Sequence, residues 1–182
     1  MLKLFLTNVV LETTDSDKHW YVVLTRTNSE RKVRDYFQLQ EVDTFLPVQN
    51  RVIEREGKRI ERERLLLPRM VFVHISRQEM AAVRSTLNVY DFFRDRSTGA
   101  PTCIPDAQMA DFRYMLDYSQ DQVILTGESI PKGTRVVVAK GDLQGLRGEL
   151  VRYNNKYHIL VRIDMFGSAM VTIPASYVRK EK

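Results

Sequence analysis

The chain has 182 residues, 43% of them hydrophobic and 28% charged, with five more basic than acidic side chains. That length and balance fit an ordinary soluble globular protein of one large or two small domains, and no apolar run approaches the ~20 residues a membrane-spanning helix needs. The charge is uneven: residues 1–118 hold 18 basic and 17 acidic residues, whereas residues 130–182 hold 10 and 4, so the last third is a basic module suited to acidic partners.

In chain order, residues 1–18 form an N-terminal extension. Its apolar start, Met1 to Leu6, is broken by Thr7 and Asn8 and lacks a small-residue cleavage site, which reads as a strand or tail of a cytoplasmic protein. The single Cys103 excludes an internal disulfide and fits a reducing compartment. His19 to Arg26 reads as a buried strand. Thr27-Asn28-Ser29-Glu30 has capping-box spacing, so a helix is expected to about Gln40, with Val33, Tyr36, Phe37 and Gln40 on one stripe. Pro47 marks 44–48 as an edge strand. Residues 51–64 alternate charge around Gly57, the pattern of a protruding hairpin with two solvated faces, mildly basic overall, which favours a solvated ribbon over a dedicated nucleic-acid finger.

Arg69 to Ile75 is a second buried strand, and Ser76-Arg77-Gln78-Glu79 opens a short helix through Arg84. Val89 to Arg94 is another strand, and Pro105 starts a helix that buries Met109, Phe112 and Leu116. The order implies an α+β sandwich, helices against one mainly antiparallel sheet, over 19–118. Residues 119–129 read as a polar linker between two separately folded units with few fixed contacts. From 130 to 182 only short strands appear, with turns at Asn154-Asn155 and Phe166-Gly167, the pattern of a small β-barrel.

Catalysis finds no foothold in these residues, and the expectation is that the chain is not an enzyme. His19, His74 and His158 fall in separate strands without metal-ligand spacing, and Cys103 sits in a proline-rich turn. No phosphate loop, dinucleotide fingerprint or zinc pattern is present, so no cofactor and no metal are expected.

Residues 130–138, Ile-Pro-Lys-Gly-Thr-Arg-Val-Val-Val, with Gly141, Gly145 and Gly148 following, resemble a KOW motif. His19-Trp20-Tyr21-Val22-Val23 resembles the first strand of the NusG N-terminal domain, and Met165-Phe166-Gly167 with Ser168 to Val171 resembles the NusG KOW hairpin. The three matches in order cover nearly everything from residue 19, and the chain is identified as similar to the NusG family. Leu67-Pro68-Arg69-Met70 stands where the generalist factor shows Phe-Pro-Gly-Tyr, a departure more similar to the RfaH-related antiterminators and, within them, the UpxY regulators of capsular polysaccharide operons.

The resemblance implies a NusG-type α/β sandwich followed by an SH3-like KOW barrel, and a factor that binds elongating RNA polymerase and favours antitermination. It implies an apolar patch of Leu24, Leu67 and Met70, with Tyr21 beside them, on the clamp helices of the largest polymerase subunit. Arg26, Arg31 and Lys32 become candidates for upstream-fork DNA, and Phe166 with Gly167 a protruding barrel tip for a small-subunit ribosomal protein or Rho. The competing class is a KOW-containing ribosome- or RNA-binding protein that never meets polymerase.

Overall fold

The computed structural model describes residues 18–55, 58–164 and 166–181, with the backbone alone at 51–55 and 61. The N-terminal extension up to residue 17, Gly57 and Met165 lie outside the described residues. Strand β1 (His19–Thr25) runs through the middle of an antiparallel sheet, because Trp20, Tyr21, Val22 and Val23 make it apolar on both pleated faces. Its neighbours are β5 (Met70–Ile75) on one side and β6 (Val89–Phe92) with the short β7 (Cys103–Ile104) on the other. Strand β2 (Asp43–Phe45) closes the far edge beside β5, where Pro47 lies just beyond its end. Strands β3 (Val48–Arg55) and β4 (Lys58–Leu65) pair with each other as a separate ribbon, as the charge alternation around Gly57 leads one to expect.

The two faces of the first sheet take different covers. Tyr21, Val23, Val71, Val73 and Ile75 pack against Val33 and Phe37 of α1 (Glu30–Leu39) and Val83 of α2 (Met80–Arg84). The predicted stripe is half realised, since Tyr36 is exposed on that helix. Trp20, Val22 and Phe72 face the other way and meet Met109, Phe112, Met115 and Leu116 of α3 (Asp106–Tyr118). Half of the capping box at Ser76 forms: the Ser76 N–H donates to Glu79 Oε2 at 2.7 Å, but the Ser76 Oγ donates to the same oxygen at 2.9 Å instead of accepting from the Glu79 N–H, and α2 begins only at Met80. The one expected at Thr27 does not form, because Glu30 is drawn elsewhere.

The last third is a six-stranded antiparallel sheet in the order β13-β9-β10-β11-β12-β8. Its strands are β8 (Ile124–Thr126), β9 (Thr134–Val138), β10 (Arg147–Tyr153), β11 (Lys156–Ile163), β12 (Gly167–Thr172) and β13 (Val178–Lys180). Asn154 and Asn155 take φ of 47° and 62°, the left-handed pair that a tight hairpin turn between β10 and β11 requires. At Gly148 a Cβ would sit 2.7 Å from the Leu160 carbonyl oxygen, so only glycine lets β10 lie this close to β11.

Two expectations of domain organisation give way here. The segment 119–129 is more than a linker: Ile124 to Thr126 form β8, paired with β12, and Val123 is buried. The two units also share one continuous apolar cluster, in which Trp20, Val22, Phe72 and the α3 residues join Val136, Val138, Ile159, Ile163 and Val171. A polar linker does not predict separation when the surfaces it connects are apolar and face each other.

Candidate functional site

Strict alternation along β1 decides which patch residues can act together. Leu24 shares a face with Trp20 and Val22, and it stands opposite Met70 in the β1–β5 register. Leu24 and Met70 are both half-buried, as is Leu67 just before β5, and Leu67 and Met70 pack against the larger cluster. Tyr21 is three residues from Leu24 and therefore on the opposite face. It is 4% exposed, edge-on to the Phe92 ring at 6.1 Å, and belongs to the core under α1 and not to the patch.

The turn that sets Leu67 and Met70 is held from α1. Arg69 adopts φ of +65°, and its backbone N–H donates to Glu30 Oε1 at 2.8 Å. The Arg69 carbonyl accepts from the Thr25 N–H at 2.8 Å, and the Arg69 side chain returns to the Thr25 carbonyl at 3.3 Å. A buried carboxylate thus satisfies a backbone donor that the turn leaves out of the sheet.

Phe166 does not protrude. Its ring is half-buried, with its centroid 4.6 Å from that of Phe93 and 5.8 Å from that of Phe72. The sequence reading placed it in an exposed turn; the turn is there, but the sheet face it meets is aromatic and covers it. Gly167 enables the approach, with φ of +96° and no room for a Cβ against the Thr126 carbonyl oxygen. Phe72 in turn contacts Phe45 and Phe112, so Phe166 extends an aromatic cluster that spans both units. Polar contacts flank it: Tyr114 Oη donates to the Gln144 carbonyl at 2.8 Å, and the Asp164 N–H donates to Gln108 Oε1 at 2.9 Å. Sequence reasoning missed Phe93 as the receiving ring. The Phe92-Phe93 doublet was the available signal, since alternation sends one ring to each face.

Arg26, Arg31 and Lys32 are exposed. Arg31 and Lys32 lie on α1, across the sheet from Leu24 and Met70, and Arg31 is paired with Glu63 at 3.0 Å. The structure does not bring Arg31 and Lys32 to the apolar patch, whereas Arg26 follows directly on the end of β1, two residues beyond Leu24. On the same face as Leu24, Arg113 lies over the Trp20 and Phe45 rings at 5.3 and 5.6 Å and is bonded to Asp43 at 3.3 Å.

Titrating groups follow from these contacts. Burial of Asp111 on α3 pushes its carboxyl above the ordinary carboxylate value, Arg147 opposing and Glu181 adding. Glu149 is held below its ordinary value by Arg162, at 2.7 and 2.8 Å, although burial acts the other way, and the Gly133 N–H assists. Burial raises the Cys103 thiol, the reverse of an activated nucleophile. The three histidines occupy β1, β5 and β11, and among the described residues no group of His, Cys, Asp and Glu is placed to hold a metal ion. No described helix is long and apolar enough to cross a membrane.

Among curated proteins none matches the chain significantly. Two solved structures align over most of their length. One, reported as "Domain interaction in Thermotoga maritima NusG", covers 92% of this chain and 99% of its own at 19% identity and a TM-score of 0.48. The other, the MjSpt4:Spt5 complex in conformation B, covers 88% and 95% at 15% identity and a TM-score of 0.31. The family model described as "Transcription termination factor nusG" matches residues 18–113, more than half of the chain, and the chain therefore belongs to the NusG family of transcription factors.

Proposed function

We propose that the chain binds elongating RNA polymerase through the first-sheet face carrying Leu24, Leu67 and Met70, and acts by binding alone, without catalysis. The observation that carries this reading is the Leu24–Met70 pair: two large apolar side chains in register, half-buried at the margin of the cluster, inside the segment matched by the family model. Apolar positions left half-exposed on a rigid sheet are the kind that anchor a partner's helix. The clamp helices of the largest subunit are the partner we assign.

The finer reading is an antiterminator of specific, capsular polysaccharide operons, in the cytoplasm. It rests on Leu67-Pro68-Arg69-Met70, where an apolar but non-aromatic pair replaces the generalist's rings. The C-terminal sheet is then a KOW barrel whose Phe166 and Gly167 meet a small-subunit ribosomal protein or Rho. In the packed arrangement that ring is occupied by Phe93, so this contact and the packing alternate.

Titrating labelled full-length chain with purified polymerase tests the reading. Leu24→Asp places a charge at the centre of the assigned contact, and binding is expected to weaken at least about tenfold. Unchanged polymerase affinity, or binding to ribosomes and RNA with none to polymerase, would replace this reading with that of a KOW RNA-binding protein.

A further inference from the structure

The β3–β4 ribbon has two faces of opposite charge, which its sequence conceals. Arg55 stands opposite Lys58, Ile53 opposite Ile60, Arg51 opposite Arg62 and Gln49 opposite Arg64. Alternate residues of a strand share a face, so these four pairs lie on one pleated face and the intervening pairs on the other. The first face carries five basic residues and no acidic one; the second, from Glu54·Arg59, Val52·Glu61 and Asn50·Glu63, carries three acidic and one basic. On β4, Lys58, Arg62 and Arg64 are exposed, and Ile60 between them is 37% exposed. The acidic face is tied to the body of the protein through Glu63, which pairs with Arg31 of α1.

We propose that the basic face of this ribbon docks on duplex DNA, chiefly on its phosphates. The B-form major groove, ~12 Å wide, admits a two-stranded β-ribbon, whereas the A-form groove of duplex RNA is too narrow for one. Single strands are bound by stacking bases on aromatic rings, and residues 48–65 contain no Phe, Tyr or Trp. The surface shares no residue with the Leu24–Met70 patch, so its test needs no polymerase.

Anisotropy titrations of the full chain with labelled duplex DNA, single-stranded DNA and duplex RNA between about 50 and 200 mM salt decide it. Duplex DNA is expected to bind best. Replacing Lys58, Arg62 and Arg64 together by Gln is expected to weaken duplex binding at least about tenfold and to make the log–log salt slope shallower by about 2 to 3. Arg62→Gln against Arg59→Gln, one from each face with the same charge change, keeps the test independent of whether the triple variant folds. A clear loss for Arg62→Gln with little for Arg59→Gln supports the proposal. Equal losses, an unchanged salt slope, or preference for single strands or duplex RNA would overturn it.

Discussion

Phe93 and Phe166, 73 positions apart in sequence, place their ring centroids 4.6 Å from each other and join the two sheets. Aromatic pairs at this distance are worth about 0.5–1.5 kcal/mol beyond the area they bury. A double-mutant cycle of Phe93→Ala and Phe166→Ala, followed by denaturant unfolding, is expected to return a coupling in that range. If the two losses simply add, the rings do not hold the sheets together. Because Leu24 and Met70 share the face on which Phe166 sits, Phe166→Ala is also expected to tighten polymerase binding by the full chain.

Glu30 makes a second long-range contact that a local reading of the sequence misassigns. Its carboxylate satisfies the Arg69 N–H at a left-handed turn. Glu30→Ala leaves that donor without its partner and is expected to cost about 1–3 kcal/mol in a thermal or urea melt. Glu30→Gln keeps an acceptor oxygen and should retain most of the stability. An equal loss in both variants would mean that charge rather than the hydrogen bond matters there.

The strands were legible because period-2 apolar runs and turn residues are local signals: β1, β5, the pairing of β3 with β4 and the Asn154-Asn155 turn all follow from residues within a few positions. Parity was legible too, and it separates Tyr21 from Leu24 without any structure. What the sequence does not carry is the choice among partners of a polar or aromatic group. Glu30 has the right spacing for Thr27 yet bonds Arg69, and Phe166 has the right neighbours for an exposed tip yet finds Phe93. Both outcomes depend on surfaces brought together by the chain's tertiary course. The opposite charges of the ribbon's faces needed one further fact, the register across the turn.

The C-terminal unit needs residues before 130. Strand β8 pairs Ile124 with Met170 and Thr126 with Ser168, covering the edge of β12. Gln49 then clamps the approach, donating to the Asp121 carbonyl at 3.0 Å and accepting from the Val123 N–H at 3.1 Å. A fragment of residues 119–182 is expected to fold with dispersed NMR signals and a cooperative melt. A fragment of 130–182 lacks the edge strand and should melt lower or aggregate through β12. Identical melts would show that β8 contributes nothing to the sheet.

Two carboxylates give the packed structure opposite responses to acid. Glu149 is lowered from its ordinary value of 4.5, chiefly by Arg162, so its stabilising contribution is present above that value and disappears as pH falls through the native value beneath it. Asp111 is raised by burial against the second sheet, so the protonated form favours the native state and that advantage is lost as pH rises through its native value. The native fold therefore disfavours the ionised form of Asp111, at an interface that desolvates it. Asp111→Asn is expected to raise the melting temperature at pH 7, and Glu149→Gln to lower it. The Asp111 difference should shrink as pH falls from its raised native value to the ordinary one, and the Glu149 difference only as pH falls below the ordinary value towards its lowered native one. Melts across about pH 3 to 7, spanning both sides of the ordinary carboxylate values, check this. A lowered melt for Asp111→Asn at pH 7 would show instead that attraction to Arg147 outweighs the cost of burial.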